Sequence, residues 1–213
     1  MRLWGYWRSS AAYRVRIALN LKGIAVEHAF RHLRHGEQTS SDHLAMNPQG
    51  LVPVLETDDG ARLTQSLAII EWLEEYRPEP PLLPADALGR ARARSLALVV
   101  AADTHPFGNL RVLRDLRSRF SADQAAVDDW YRHWYGVGCG ALEARLSAEV
   151  QTGRFCHGDA PTLPDLFLVP QLYNARRVGM DLTPYPTLTH IEAACLALPA
   201  FADAAPERQP DAE

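Results

Sequence analysis

The sequence predicts a small α/β domain of order βαβαββα followed by an all-α domain. Three observations predict it: short β-type runs alternate with helical periodicity up to residue 76, a proline-dense stretch follows, and only helical periodicity lies beyond. Arg2 to Tyr6 is a short edge-like run. Ser10 to Lys22 sets Ala11, Val15, Ala18 and Leu19 on one helical face, with Gly23 as a stop. Val26 to His32 resumes strand character, and Ser40 to Met46 suits a short helix. Leu51 to Glu56 and Ala61 to Thr64, separated by Asp58-Asp59-Gly60, form a hairpin. Ser66 caps a helix to Tyr76 that buries Leu67, Ile70 and Leu73 and exposes Glu71, Glu74 and Glu75. Arg77 to Asp86 carries Pro78, Pro80, Pro81 and Pro84 and reads as a semi-rigid linker, since proline removes amide donors and fixes its own φ. The expected domains are therefore residues 1–80 and 87–213. The second holds helices over 87–120 (interrupted at Pro106), 122–148, 162–178 and 187–197; Thr162 and Asp165 form a capping box, and the polar tail 206–213 reads as loose.

At 213 residues and 47% hydrophobic, the chain can bury a full core. Twenty-two basic against 26 acidic residues leave a net charge of -4, so no basic field exists to hold nucleic acid or an anionic membrane. An anionic ligand must be held by a few local positive groups. No leader-like succession opens the chain, and no apolar run reaches the roughly 18 residues of a membrane span, so a cytoplasmic location is expected. Cys139, Cys156 and Cys195 are odd in number and widely spaced, which argues against disulfides, a zinc site and dithiol chemistry.

Three short stretches carry the chemistry: Arg8-Ser9-Ser10 opening one helix, Val52-Pro53 in an apolar run, and Gln65-Ser66 opening another. On residue type alone Ser9 is a helix cap, Pro53 marks a strand end, and Gln65-Ser66 is a cap whose orphan N–H groups suit a carboxylate. Tyr6 supplies a rival hydroxyl, and reads as a packed strand residue. His105 and Asn109, four apart, share a face if the helix continues through Pro106. Arg8 and Arg177 can each grip a carboxylate with two parallel hydrogen bonds, while Arg176, Arg90, Arg92 and Arg94 read as solvated helix face.

Across nearly the whole chain this organisation resembles the glutathione transferase superfamily, whose first domain is thioredoxin-like. Tyr6-Trp7-Arg8-Ser9-Ser10 running into Arg14-Val15-Arg16-Ile17-Ala18-Leu19, Asn47-Pro48-Gln49-Gly50-Leu51-Val52-Pro53, Gln65-Ser66-Leu67-Ala68-Ile69-Ile70-Glu71 and Asp181-Leu182-Thr183-Pro184-Tyr185-Pro186 look like the zeta class, the maleylacetoacetate and maleylpyruvate isomerases. The resemblance implies that Ser9 donates its hydroxyl to the glutathione sulfur, with Arg8 beside it. A hydrogen bond to an anion is worth about 1.5–3 kcal/mol, enough to bring a thiol that ionises near 8.5 toward neutrality. It also implies glutathione contacts from Ser10, Ala11, Gln38, Val52 (before a cis Pro53), Gln65 and Ser66, with Glu37 an alternative to Gln38. From the second domain, which completes the substrate site, it adds His105, Asn109, Leu110 and Arg111, and Arg177 as a substrate ligand. No metal is implied. Ala11-Ala12 stands where many members carry Cys-Ser, so no protein thiol adjoins the sulfur.

The implied activity is glutathione-dependent cis–trans isomerisation of maleylacetoacetate to fumarylacetoacetate in tyrosine and phenylalanine catabolism, by reversible thiolate addition. The alternatives are maleylpyruvate isomerisation in gentisate degradation, a transferase acting on small halo acids, and a non-catalytic glutathione-binding protein. A homodimer is implied as well.

Overall fold

The four strands form one sheet in the order β2-β1-β3-β4. The computed structural model describes all 213 residues, and the chain divides into two units: residues 1–81 together with 197–213, and residues 82–196. In the first unit β1 (Arg2–Gly5), α1 (Ser10–Leu21), β2 (Glu27–Phe30), α2 (Ser41–Met46), β3 (Val54–Glu56), β4 (Arg62–Thr64) and α3 (Ser66–Tyr76) follow the expected order βαβαββα. β1 lies parallel to β2 (Leu3 opposite His28) and antiparallel to β3 (Leu3 opposite Leu55), and β3–β4 is an antiparallel hairpin. The strands are shorter than the runs that predict them. Tyr6, Val26, His32 and Leu51–Pro53 lie outside the ladders, which leaves the ends of β1 and β3 as turns.

α1 is buried almost all round, including Arg14 and Arg16, so the one-sided face read from periodicity understates its environment. On α3 the buried apolar residues are Ile69, Ile70 and Leu73, and Leu67 is half-buried instead of fully covered. Glu74, expected in solvent, pairs at 2.7 Å with Lys22 Nζ, whose side chain is fully buried. Lys22 also donates to the Arg77 and Pro80 carbonyls at 2.7 and 2.9 Å, which ties the proline stretch to the end of α1.

The C-terminal residues depart furthest from expectation. Residues 197–213 belong to the first unit and not the helical one, and the tail is ordered against α1. α9 (Pro199–Ala202) buries Phe201, and Ala204 and Pro206 are buried after it. Tyr13 Oη donates to the Phe201 carbonyl at 3.3 Å and Arg16 Nε to the Ala204 carbonyl at 3.0 Å. Polarity along the tail suggested looseness, but its backbone carbonyls are the acceptors that buried α1 donors need.

The second unit is helical: α4 (Ala87–Ala101), α5 (Leu110–Phe120), α6 (Gln124–Ala148), α7 (Leu163–Arg177) and α8 (Pro186–Leu196). α7 packs on α4 and α8 and is buried over most of its length. The buried Asp165 carboxylate accepts the Thr162 N–H at 2.8 Å and the Cys156 N–H at 2.9 Å, realising the capping box. Arg92 is not a solvated helix residue: it pairs with Glu149 and donates to the Cys156 carbonyl and Thr152 Oγ1. Arg176 is exposed, as read, and forms a two-pronged ion pair with the buried Glu192 carboxylate. No helix is long and apolar enough to cross a membrane.

Candidate functional site

In the first unit, Ser9 is the N-cap of α1, with extended backbone (φ -69°, ψ 113°). Its N–H donates to the Tyr6 carbonyl at 2.9 Å, and its Oγ accepts the Ala12 N–H at 3.2 Å. The cap does not exhaust the hydroxyl: the oxygen receives a backbone proton while the hydroxyl's own proton is left to give. Ser10 is buried and Ala11 half-buried in the first turn, which carries no acidic residue, so nothing there neutralises the positive end of the helix dipole. The Arg8 guanidinium lies 5.2 Å from the Trp7 ring centroid.

Tyr6, Trp7 and Val52 pack in one apolar cluster with Leu33, which sets the Val52-Pro53 corner against the turn before Ser9. The Val52–Pro53 peptide is cis. The Leu51 carbonyl accepts from both His43 Nε2 at 3.0 Å and Asn47 Nδ2 at 2.9 Å. The Leu51–Val52 peptide is trans and planar, so Val52 N–H faces away from those two residues, and neither backbone group of Val52 has a partner within the chain. Such an edge accepts an extended peptide as a further strand would. Tyr6 is 4% exposed, a packed residue as its sequence context suggested.

α3 also starts without an acid in its first turn. Ser66 is buried, and its Oγ accepts from Arg14 Nη1 at 3.2 Å, which places a buried guanidinium of α1 behind the start of α3. Gln65 is held at φ 67°, ψ 115°, costly for a residue with a Cβ, and its amide donates to Gln49 Oε1 at 2.8 Å. Gln38 sits buried in a 3₁₀ turn over Glu37–Thr39, its Oε1 without an internal partner, whereas the Glu37 carboxylate accepts the His32 N–H at 2.7 Å. Gly50 has φ +62°, and a Cβ there would meet the Gln38 carbonyl oxygen at 3.2 Å.

In the second unit the helix does not continue through Pro106, so His105 and Asn109 do not share a helical face. His105 opens a 3₁₀ turn (His105–Gly108), and Asn109 is the N-cap of α5, its Oδ1 accepting the Arg111 N–H at 3.1 Å. α4 already ends at Ala101, and Pro106 sits in the first turn of the 3₁₀ segment, where no intrahelical N–H is needed. Leu110 and Arg111 are exposed at the start of α5. Arg177, the last residue of α7, is exposed, and its Nη1 donates to Asn174 Oδ1 at 2.8 Å with no acidic partner.

The three cysteines are buried and free. Burial pushes the Cys139 thiol up to about 12 and raises Cys156 and Cys195 as well, with neighbouring carboxylates adding to it, so none offers a thiolate near neutral pH. A thiolate nucleophile is therefore not supplied by these three cysteines.

The glutathione S-transferase N-terminal domain family matches residues 8–76. A maleylpyruvate isomerase from Ralstonia sp is 51% identical over 212 residues, 99% of each chain. A holo structure of maleyl pyruvate isomerase, described as a bacterial zeta-class glutathione S-transferase, is 49% identical, superposes with TM-score 0.98 and covers 100% of both chains. The chain belongs to the zeta-class glutathione S-transferase family. The maleylacetoacetate isomerase of Methylobacterium extorquens AM1, solved with bound malonate and glutathione, is also 49% identical with TM-score 0.98 over 100% of both chains. Within this zeta-class chain the residues that local pattern did not reveal are Arg14, Arg16, His43, Asn47 and Asp211. For the two arginines a signal existed: they interrupt a helix that is apolar all round, Val15-Arg16-Ile17-Ala18-Leu19.

Proposed function

We propose that this chain is a glutathione-dependent isomerase that converts maleylacetoacetate to fumarylacetoacetate in tyrosine and phenylalanine catabolism. The observation that carries the reading is Ser9, a hydroxyl with an unengaged proton at the start of a helix whose first turn holds no acid. The cradle fits glutathione in three further places: the unpartnered Val52 backbone pair suits its cysteinyl amide, the acid-free start of α3 at Gln65-Ser66 suits its γ-glutamyl carboxylate, and Gln38 offers a buried amide oxygen.

When bound, glutathione supplies the nucleophile for reversible addition to the double bond, whose rotation as a single bond and re-elimination yield the trans acid with the tripeptide regenerated. Ser9 donates its proton to the sulfur and lowers the cost of its negative charge, aided by the Ser10 and Ala11 end of α1. Arg8, next to Ser9 in the chain, would add positive charge at the start of α1 that favours an anionic ligand there. Arg177 grips a substrate carboxylate with a guanidinium that no acid of the chain neutralises. On the resemblance, His105, Asn109, Leu110 and Arg111 contact the tripeptide. A cytoplasmic homodimer completes the proposal.

Maleylpyruvate isomerisation in gentisate degradation is the second reading, favoured by the 51% identity to the Ralstonia enzyme. An ultraviolet assay with both maleyl acids, with and without glutathione, tests the assignment on wild type and on Arg177→Ala. Activity is expected to require the tripeptide, and loss of the guanidinium to raise KM for the acid far more than it lowers kcat. Net consumption of glutathione with a halo acid and no isomerisation would instead make the protein a conjugating transferase. Glutathione binding with no turnover of any substrate would make it a binding protein.

A further inference from the structure

The turn that presents Arg8 and Ser9 is held by residues distant in sequence. Tyr6 to Ser9 joins β1 to α1, and the Ser9 N–H to Tyr6 carbonyl bond closes the turn without engaging Trp7. Both backbone groups of Trp7 are taken from outside it. Its N–H donates to Asp211 Oδ2 at 2.9 Å across 204 residues of chain, and its carbonyl accepts from Arg16 Nη2 at 3.1 Å. Arg16, 5% exposed, also donates through Nε to the Ala204 carbonyl at 3.0 Å, so one guanidinium joins the turn to the same C-terminal segment that carries Asp211.

We propose that Asp211 is a positioning residue: with Arg16 it holds the Trp7 backbone, and through it the Arg8 guanidinium and the Ser9 hydroxyl, in the geometry that stabilises the sulfur anion. This rests on the assignment of Ser9 made above. The bond to N–H orients the peptide plane before Trp7 and the bond to C=O orients the plane after it. Because each plane is rigid, the two together set φ and ψ of Trp7 and hence the course of the chain into Arg8. The Trp7 ring, 7% exposed and beneath the Arg8 guanidinium, is carried by the same backbone. A displacement of about 1 Å at a reacting group costs on the order of a hundredfold in rate, so the anchoring has catalytic consequence.

The sign of the Asp211 charge separates geometry from electrostatics. A carboxylate near a developing thiolate opposes it, so any benefit from Asp211 must come through the acceptor oxygen, which an asparagine also supplies. The test measures three quantities on Asp211→Ala and Asp211→Asn: the pH at which bound glutathione ionises, from thiolate absorbance; kcat and KM with the maleyl acid; and glutathione Kd by calorimetry. For Asp211→Ala we expect kcat to fall about tenfold and ionisation to move to higher pH, while Kd changes less than about twofold because the Val52 and Gln65-Ser66 contacts remain. Asp211→Asn restores most of both. Wild-type ionisation and kcat in Asp211→Ala overturn the inference, as does an Asp211→Asn variant impaired as much as the alanine. If the alanine variant does not fold, the asparagine variant decides alone: wild-type ionisation supports the geometric role and displaced ionisation refutes it. Ser9→Gly in the same assay keeps the two readings apart. Unmoved ionisation there removes the Ser9 assignment itself, whereas displaced ionisation in Ser9→Gly beside an unaffected Asp211→Ala removes only the role of Asp211.

Discussion

Replacing Ser9 by glycine separates the two tasks its hydroxyl performs. As a cap it accepts the Ala12 N–H at 3.2 Å, and glycine at an N-cap costs only a few tenths of a kcal/mol, so the fold is expected to melt within about 2 °C of wild type. As a donor to anionic sulfur the hydroxyl is worth about 1.5–3 kcal/mol, and at about 1.4 kcal/mol per pKa unit its loss raises the ionisation of bound glutathione by roughly one to two. Near neutral pH, kcat should then fall about ten- to hundredfold and recover as pH rises through the new pKa, with KM for the acid little changed. Ser9→Thr, which keeps a hydroxyl, should recover part of the loss. The assay is thiolate absorbance of the binary complex across pH, paired with the isomerase rate. A Ser9→Gly protein that ionises glutathione and turns over like wild type would refute the reasoning.

Gln65→Gly should raise stability by about 1 kcal/mol, because glycine adopts φ 67° without cost, while weakening glutathione binding through loss of the bond to Gln49; melting and calorimetry read the two opposite effects. Lys22→Met should lower stability by about 3–5 kcal/mol in denaturant titration, since it strips a buried ion pair with Glu74 and orphans the Arg77 and Pro80 carbonyls. Iodoacetamide at neutral pH should leave the mass and activity of the native protein unchanged, with three additions appearing only on unfolding, because burial keeps the Cys139 thiol, pushed up to about 12, and the other two protonated.

Much of the architecture was legible because its signals are local. The βαβαββα order, the proline stretch and the Thr162–Asp165 capping box each depend on residues within a few positions of one another. Elements misread from pattern share a cause. Glu74 and Arg92 look like solvated charge on helix surfaces, yet each finds a partner, Lys22 or Glu149, far away in sequence; Arg176 is exposed as read, and only its ion pair with Glu192 escaped the pattern. The interruption read at Pro106 is present, but the helix stops earlier, at Ala101, so the condition for His105 and Asn109 to share a face is not met. The Glu79–Pro80 cis peptide left no trace in composition.

By itself the sequence determined which segments open helices, where caps and breaks fall, and that the Ser9 and Ser66 hydroxyls and Arg8 stand at those openings, because such choices are settled within one or two turns of chain. Only the tertiary structure decided how those openings are braced. Arg14 behind Ser66 and the return of the C-terminal segment to Trp7 and Arg16 join residues far apart in sequence, whose meeting depends on the whole chain having folded. A buried donor must find an acceptor wherever the fold brings one, and in this protein the acceptor for the turn before Ser9 lies 204 residues away.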